Sequence, residues 1–105
     1  MVTKKPATDA FRAMGDPTRR EILRALLHGP APVKRIAGQF ECSRPAISKH
    51  LKVLLDARLV RQERSGREVV YHLEPEALAE LRAWLDAFWS RGLARIKKSA
   101  EGRKK

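Results

Sequence analysis

The fifteen residues from Ser43 to Ala57, SRPAISKHLKVLLDA, constrain this chain more than any other stretch, because they read as one helix with two unlike faces. Ile47, Leu51, Leu54 and Leu55 recur at three- and four-residue spacing, so one side can pack on a core. The other side carries Pro45, Ser48, Lys49 and Lys52, small or polar residues with two positive charges among them. Ser43 is placed to cap the helix, a contribution of roughly 1 kcal/mol. Pro45 falls in the first turn, where its missing amide hydrogen does no harm. Short side chains at this end would let the backbone come close to base edges and phosphates, so the face suits a DNA groove.

The preceding residues supply what such a helix packs on. Val33 to Phe40 predicts a helix with Val33, Ile36, Ala37 and Phe40 at helical spacing, and Gly38 inside it suggests close approach by a neighbour. A three-residue turn, Glu41, Cys42 and Ser43, then leads into the amphipathic helix, which gives the pair the form of a helix-turn-helix. Further upstream, Asp9 to Met14 predicts a short helix that buries Phe11 and Met14 and stops in a left-handed turn at Gly15. Asp16 then caps a second helix, with Pro17 in its first turn, the stripe Ile22, Leu23, Leu26 and Leu27, and an end at Gly29 and Pro30. Arg19, Arg20 and Arg24 lie off the stripe and read equally as phosphate contacts or as a solvated face. Pro30, Ala31 and Pro32 read as a stiff connection.

After Ala57 the period changes from helical to alternating. Leu59 to Arg64 and Arg67 to Leu73 predict two strands joined by Ser65 and Gly66, with Val69, Tyr71 and Leu73 on one face of the second. Arg64 and Arg67 flank the turn, so a role along the sugar-phosphate edge of a groove is preferred here to a merely solubilising edge. Glu74 and Pro75 open a last helix over about residues 76–98, roughly 34 Å long. Its apolar residues Leu78, Leu81, Trp84, Leu85, Phe88, Trp89, Leu93 and Ile96 form too broad a stripe for one small domain to cover. The expectation is a symmetric homodimer through this helix and the first, using Phe11, Met14, Leu78, Leu81, Trp84, Leu85, Phe88 and Trp89, in preference to a ligand pocket lined by the aromatics.

At 105 residues the chain has room for one modest core. The expected organisation is a flexible N-terminus over 1–7, one domain over 8–98 and a basic tail over 99–105, the ends being either solvated disorder or sequence-neutral phosphate contacts. The fold class expected is mainly α, with five helices and a small β-hairpin. Lys and Arg exceed Asp and Glu by eleven, and the pI of about 10.7 favours a polyanionic partner. No apolar run reaches the length of a membrane span and the N-terminus lacks a secretion-signal core, so a cytoplasmic location is expected. Cys42 has no cysteine to pair with, in keeping with a reducing compartment.

Three segments in this order, FRAMGDPTRREIL (Phe11 to Leu23), SRPAISKHLKVLLDARLV (Ser43 to Val60) and GREVVYHL (Gly66 to Leu73), closely resemble the ArsR-type winged helix-turn-helix transcriptional regulators. The resemblance covers about Asp9 to Leu73. It implies a homodimer on an imperfectly palindromic operator, usually a repressor released by a signal, with Ser43 to Ala57 as recognition helix and Ser65 and Gly66 as wing tip. Many family members sense metals, yet Pro32 to Phe40 holds no cysteine and no histidine lies between Glu74 and Lys105. His28, His50 and His72 fall in three separate elements, so no metal site and no cofactor are expected, as in the non-metal branch. The family often has glycine where this chain has Glu41 and Arg58. A left-handed backbone at either costs roughly 1 to 2 kcal/mol relative to glycine. Cys42 falls where the family usually buries an aliphatic residue, which favours packing over redox sensing.

The leading expectation is a dimeric, sequence-specific regulator of double-stranded DNA, most readily a repressor. Ser43, Arg44, Pro45, Ser48, Lys49, His50 and Lys52 would serve the groove and phosphates, and Arg64 and Arg67 would support them from the wing. His50 reads equally as a contact or as a half-buried residue bonded to a neighbour. The alternatives are a sequence-neutral nucleic-acid coating protein and a winged-helix module that binds protein alone. An enzyme is least supported, because Cys42 with His50 is the only nucleophile and base pair on offer and nothing orients it. The sequence specifies no inducer.

Overall fold

Prolines and caps start the main helices of the computed structural model, which describes residues 6–93 and 95–97. Helix α1 spans Pro6–Met14, α2 Pro17–Leu26, α3 Val33–Ala37, α4 Arg44–Asp56 and α5 Pro75–Ala87; α2, α4 and α5 each have proline in the first turn. Strands β1 (Ala31–Pro32), β2 (Val60–Ser65) and β3 (Glu68–Leu73) complete the fold. Residues 1–5 of the expected flexible N-terminus and the tail over 99–105 lie outside the described residues, while Pro6 and Ala7 belong to α1.

The expected hairpin is the larger part of a three-stranded antiparallel sheet in the order β1-β3-β2. The connection Pro30 to Pro32 supplies the third strand, with Ala31 opposite Tyr71 and Pro32 opposite Val70. Proline is tolerated there because β1 is an edge, where no ladder needs its missing amide. In the hairpin Val60 faces Leu73, Gln62 faces Tyr71 and Ser65 faces Glu68, so the two-residue loop is Gly66 and Arg67 rather than Ser65 and Gly66. Gly66 takes a φ of 64°, which glycine adopts without the clash that a Cβ would bring. Gln62 Nε2 donates to the Tyr71 hydroxyl at 3.0 Å across the same register.

The core draws on every helix. Ile22, Ile36, Ile47, Leu51, Leu54 and Leu59 are fully buried, joined by Ala10 and Ala13 from α1 and by Ala77 and Leu81 from α5. Phe11 therefore does not fill the core as expected. It is 37% exposed and meets Trp84 edge-on, with ring centroids 5.0 Å apart, because the inward face of α1 is the Ala10 and Ala13 side. Leu27 departs from its stripe in the same way: α2 ends at Leu26, and Leu27 is 73% exposed. Gly15 ends α1 without a left-handed turn; its value is space, since a Cβ there would come within 3.2 Å of the Arg12 carbonyl oxygen. Gly38 shows no such crowding, its nearest would-be contact being an ordinary 3.5 Å, and α3 stops at Ala37.

Of the two positions where the family often has glycine, Arg58 keeps a left-handed backbone, with φ 60°, and Glu41 does not. Arg58 follows the last residues of α4 in a Schellman turn: its amide donates to Leu55 O and the Leu59 amide to Leu54 O, both at 3.0 Å. Leu59 and Leu54 are both fully buried, which supplies the apolar contact that goes with this turn.

The last helix is not one uniform rod over 76–98. It turns from α to π geometry at Phe88–Leu93, beyond Leu81, the last side chain that it buries in the core. None of the described side chains beyond Leu81 is buried, so the core does not hold the α register there and the wider turn is accommodated.

Arg58→Gly is expected to stabilise the fold by about 1 kcal/mol, the left-handed penalty less the extra chain entropy of glycine, and thermal unfolding checks it. Asp16 accepts the Arg19 amide at 3.0 Å, and this bond holds its carboxyl below the ordinary 3.8. A depressed carboxyl stabilises the fold above its unfolded value and ceases to as pH falls through its folded value. Asp16→Ala should therefore lower the melting temperature at neutral pH, and the gap to the wild type should close as the pH drops below 3.8.

Candidate nucleic-acid interface

Helix α4 divides as its sequence period requires. Ile47, Leu51 and Leu54 are buried, and Ser43, Arg44, Pro45, Ser48, Lys49 and Lys52 are exposed. Ser43 caps the helix, its Oγ accepting the Ala46 amide at 3.2 Å, so the exposed face begins at a fixed point. Arg44, Ser48 and Lys52 follow one another at four-residue spacing and form one row along it. Lys52 lies 3.9 Å from Asp56, but both side chains are largely in water, and such a pair holds little energy against a phosphate.

At the wing, Arg64 on β2 and Arg67 in the hairpin loop are both exposed and stand on either side of Ser65 and Gly66. Nearer the base of the hairpin, Arg61 forms an ion pair with Glu74 at 3.9 Å, and His72 Nε2 lies 3.3 Å from Glu63 Oε1.

His50 departs from the exposed row. Its side chain is only 23% exposed, and its Nδ1 lies 3.3 Å from Arg19 Nη1 and 3.9 Å from Asp16 Oδ2. Of the two readings left open by the sequence, the half-buried one describes its place. Arg19 and Arg20 are likewise engaged with the protein. Arg19 donates through Nε to Ala13 O at 2.7 Å and through Nη2 to Arg12 O at 3.3 Å, and Arg20 donates to Met14 O at 2.7 Å. They close the open carbonyls at the C-terminus of α1, where a cation is also favoured by the helix dipole. Sequence reasoning missed this, because it depends on the chain reversing at Gly15 and Asp16 so that the first turn of α2 comes back against the end of α1. Arg24 remains on the surface, 3.5 Å from Glu21.

Cys42 is half-buried and packs against the core. His28 is exposed, and among the described residues no three of His, Cys, Asp and Glu come together as a ligand set. No described helix is long and apolar enough to cross a membrane.

The apolar residues expected at a dimer interface fall into two groups. Leu81 is buried in its own core, and Met14 and Leu78 pack against that core. Trp84 and Leu85 are 51% exposed, Phe88 55% and Trp89 69%, with Trp84 and Phe88 stacked at 5.6 Å. The surface left uncovered is therefore narrower than the sequence stripe, and Phe11 joins it through Trp84.

A match to the family described as "Bacterial regulatory protein, arsR family" covers residues 16–62, from the cap of α2 into the wing. The chain is 47% identical over 93 residues to the HTH-type transcriptional regulator Rv2034 of Mycobacterium tuberculosis, covering 89% of this chain and 87% of that protein. It is 36% identical over 84 residues to the transcriptional repressor SdpR of Bacillus subtilis, 80% and 93% of the two chains. Among solved structures, an ArsR-like transcriptional regulator from Rhodococcus sp. RHA1 superposes with a TM-score of 0.75 at 35% identity, over 90% of this chain and 92% of that one. With the helix-turn-helix, the wing and this extent of similarity in agreement, the chain belongs to the arsR family and is a winged helix-turn-helix transcriptional regulator.

Proposed function

We propose that the protein is a homodimeric, cytoplasmic repressor that binds an imperfectly palindromic operator through α4. The carrying observation is the division of α4, in which three buried aliphatic residues fix one side while Arg44, Ser48, Lys49 and Lys52 stay in water on the other. Arg and Lys read guanine edges or bind phosphates, and serine can do either. Ser43 and Pro45 keep the leading end of the helix small enough for close approach. Arg64 and Arg67 at the wing tip supply charge suited to the adjoining sugar-phosphate edge, and the net charge of +11 adds a general attraction to the duplex. SdpR, which shares 36% of its aligned residues, is itself described as a transcriptional repressor, and this supports the same direction of control here.

The dimer follows from what α5 leaves bare. Trp84, Leu85, Phe88 and Trp89 are each at least half exposed within six residues. An isologous contact through this face and Phe11 would cover it and set two copies of α4 about one DNA turn, roughly 34 Å, apart.

Lys49→Ala is expected to weaken operator binding and to lower the salt slope by about one counterion, read by titration at several salt concentrations. An unchanged affinity and slope would remove Lys49 from the interface. Trp89→Glu should convert the dimer to monomer in sedimentation at micromolar concentration and weaken operator binding with it. A wild-type protein that is monomeric under those conditions, or that holds scrambled duplexes as tightly as its selected one, would overturn this reading.

A further inference from the structure

We propose that Arg19 is a positioning residue which, through His50, clasps the recognition helix to the corner formed by α1 and α2, and that a proton taken up by His50 opens the clasp. The inference rests on α4 being the helix that reads DNA.

The guanidinium of Arg19 has five N–H donors and no acceptor. Two of its nitrogens are bonded to α1, Nε to Ala13 O at 2.7 Å and Nη2 to Arg12 O at 3.3 Å. Its remaining nitrogen, Nη1, points to His50 Nδ1 at 3.3 Å. Since Arg19 can only donate, this contact is a hydrogen bond when Nδ1 accepts, that is, in the Nε2–H tautomer of His50. One side chain thus joins three helices: it is rooted in α2, closes the end of α1 and holds the middle of α4.

Asp16 completes the device. Its Oδ2 accepts the Arg19 amide at 3.0 Å and lies 3.9 Å from the same Nδ1 of His50. A proton on Nδ1 removes the acceptor that Arg19 uses and sets two positive charges about one hydrogen-bond length apart. It also creates a donor facing the Asp16 carboxylate. The favoured partner of His50 therefore changes from Arg19 to Asp16, and the ring must move to reach it.

Of the other charged groups on elements packed against α4, the half-buried Asp9 of α1 and Arg20, Glu21 and Arg24 of α2 make no hydrogen bond or ion pair with His50; Arg20 is bonded to Met14 O and Arg24 lies beside Glu21. Lys34 and Arg35 of α3 are exposed, as is Arg12 of α1. On β2, Arg61 pairs with Glu74 and Glu63 with His72, while Arg64 is exposed. Among the described residues, Asp16 and Arg19 are the charged groups that His50 meets. Its neighbours in sequence are Lys49, on the exposed face, and the buried Leu51. A shift of the ring thus acts at the level of α4 where the DNA-facing charge sits.

The test uses the full chain and the duplex selected from a random pool, at constant ionic strength. From about pH 8 to pH 6, within the range where histidine changes charge, wild-type affinity should fall by about five- to tenfold, the size of a modest coupling between sites. His50→Gln, which can still accept from Arg19 but takes no proton there, should lose this pH dependence. Nitrogen-15 spectra of the free protein should show the Nε2–H tautomer of His50 at pH 8, and Arg19→Met should shift its Nδ1 signal. An Nδ1–H tautomer at pH 8 would overturn the clasp. So would affinity that rises on acidification with a steeper salt slope, since His50 would then be meeting phosphate. Absence of any selective complex at pH 8 would instead remove the DNA-reading role of α4, and the nitrogen spectra would still judge the clasp.

Discussion

Ile47, Leu51 and Leu54 lie in one buried cluster with Ile22, Ile36 and Leu59, and this seal fixes the rotation of α4 about its own axis. Burial of such a side chain contributes about 1.5 to 3 kcal/mol, so three together outweigh any single exposed contact on the opposite side. Turning the helix to present another row would take these residues into water. Surface chemistry on α4 can therefore vary residue by residue, because the choice of which residues face outward has already been made by the core. Ser43 sets where that face begins and the turn at Arg58 sets where it stops.

Period and punctuation made much of this legible in the sequence. The spacing of Ile47, Leu51 and Leu54 located α4, Ser43 and Asp16 marked two helix starts that the structure shows capped, and Gly66 located the wing. Features that depend on distant partners were not legible. Strand β1 is two residues long and exists only because β3 pairs with it, so Pro30 to Pro32 read as a linker. Phe11 and Leu27 looked like core residues by type, yet the small Ala10 and Ala13 let α1 approach closely, and α2 ended one residue too soon for Leu27. In the candidate interface, residue types located the exposed row correctly but not the engagement of Arg19, Arg20 and His50. Charge alone does not reveal whether an arginine faces water or a helix end.

The contrast among the arginines bears on how the chain uses its charge. A protein with 23 lysines and arginines has cations to place in structural work, and Arg19 and Arg20 help to close a helix end that lacks a left-handed glycine turn. Among the described residues, Arg44 and Lys49 on α4 and Arg64 and Arg67 at the wing tip make no ion pair or side-chain hydrogen bond, and Lys52 has only its exposed neighbour Asp56. The last helix divides in the same way: Leu81 serves the core, Phe11 and Trp84 brace one another, and Leu85, Phe88 and Trp89 beyond are exposed.

The turn at Arg58 couples two parts that are usually described separately. It runs from the last residues of α4 into β2 without a flexible linker, with Leu59 pinned in the core and its carbonyl accepting the Glu74 amide at 2.9 Å where α5 is about to begin. Helix and hairpin consequently travel as a single rigid jaw. In the proposed dimer, any mismatch between the pitch of a bent duplex and the distance separating two such jaws would fall on the seam between subunits rather than on the wing.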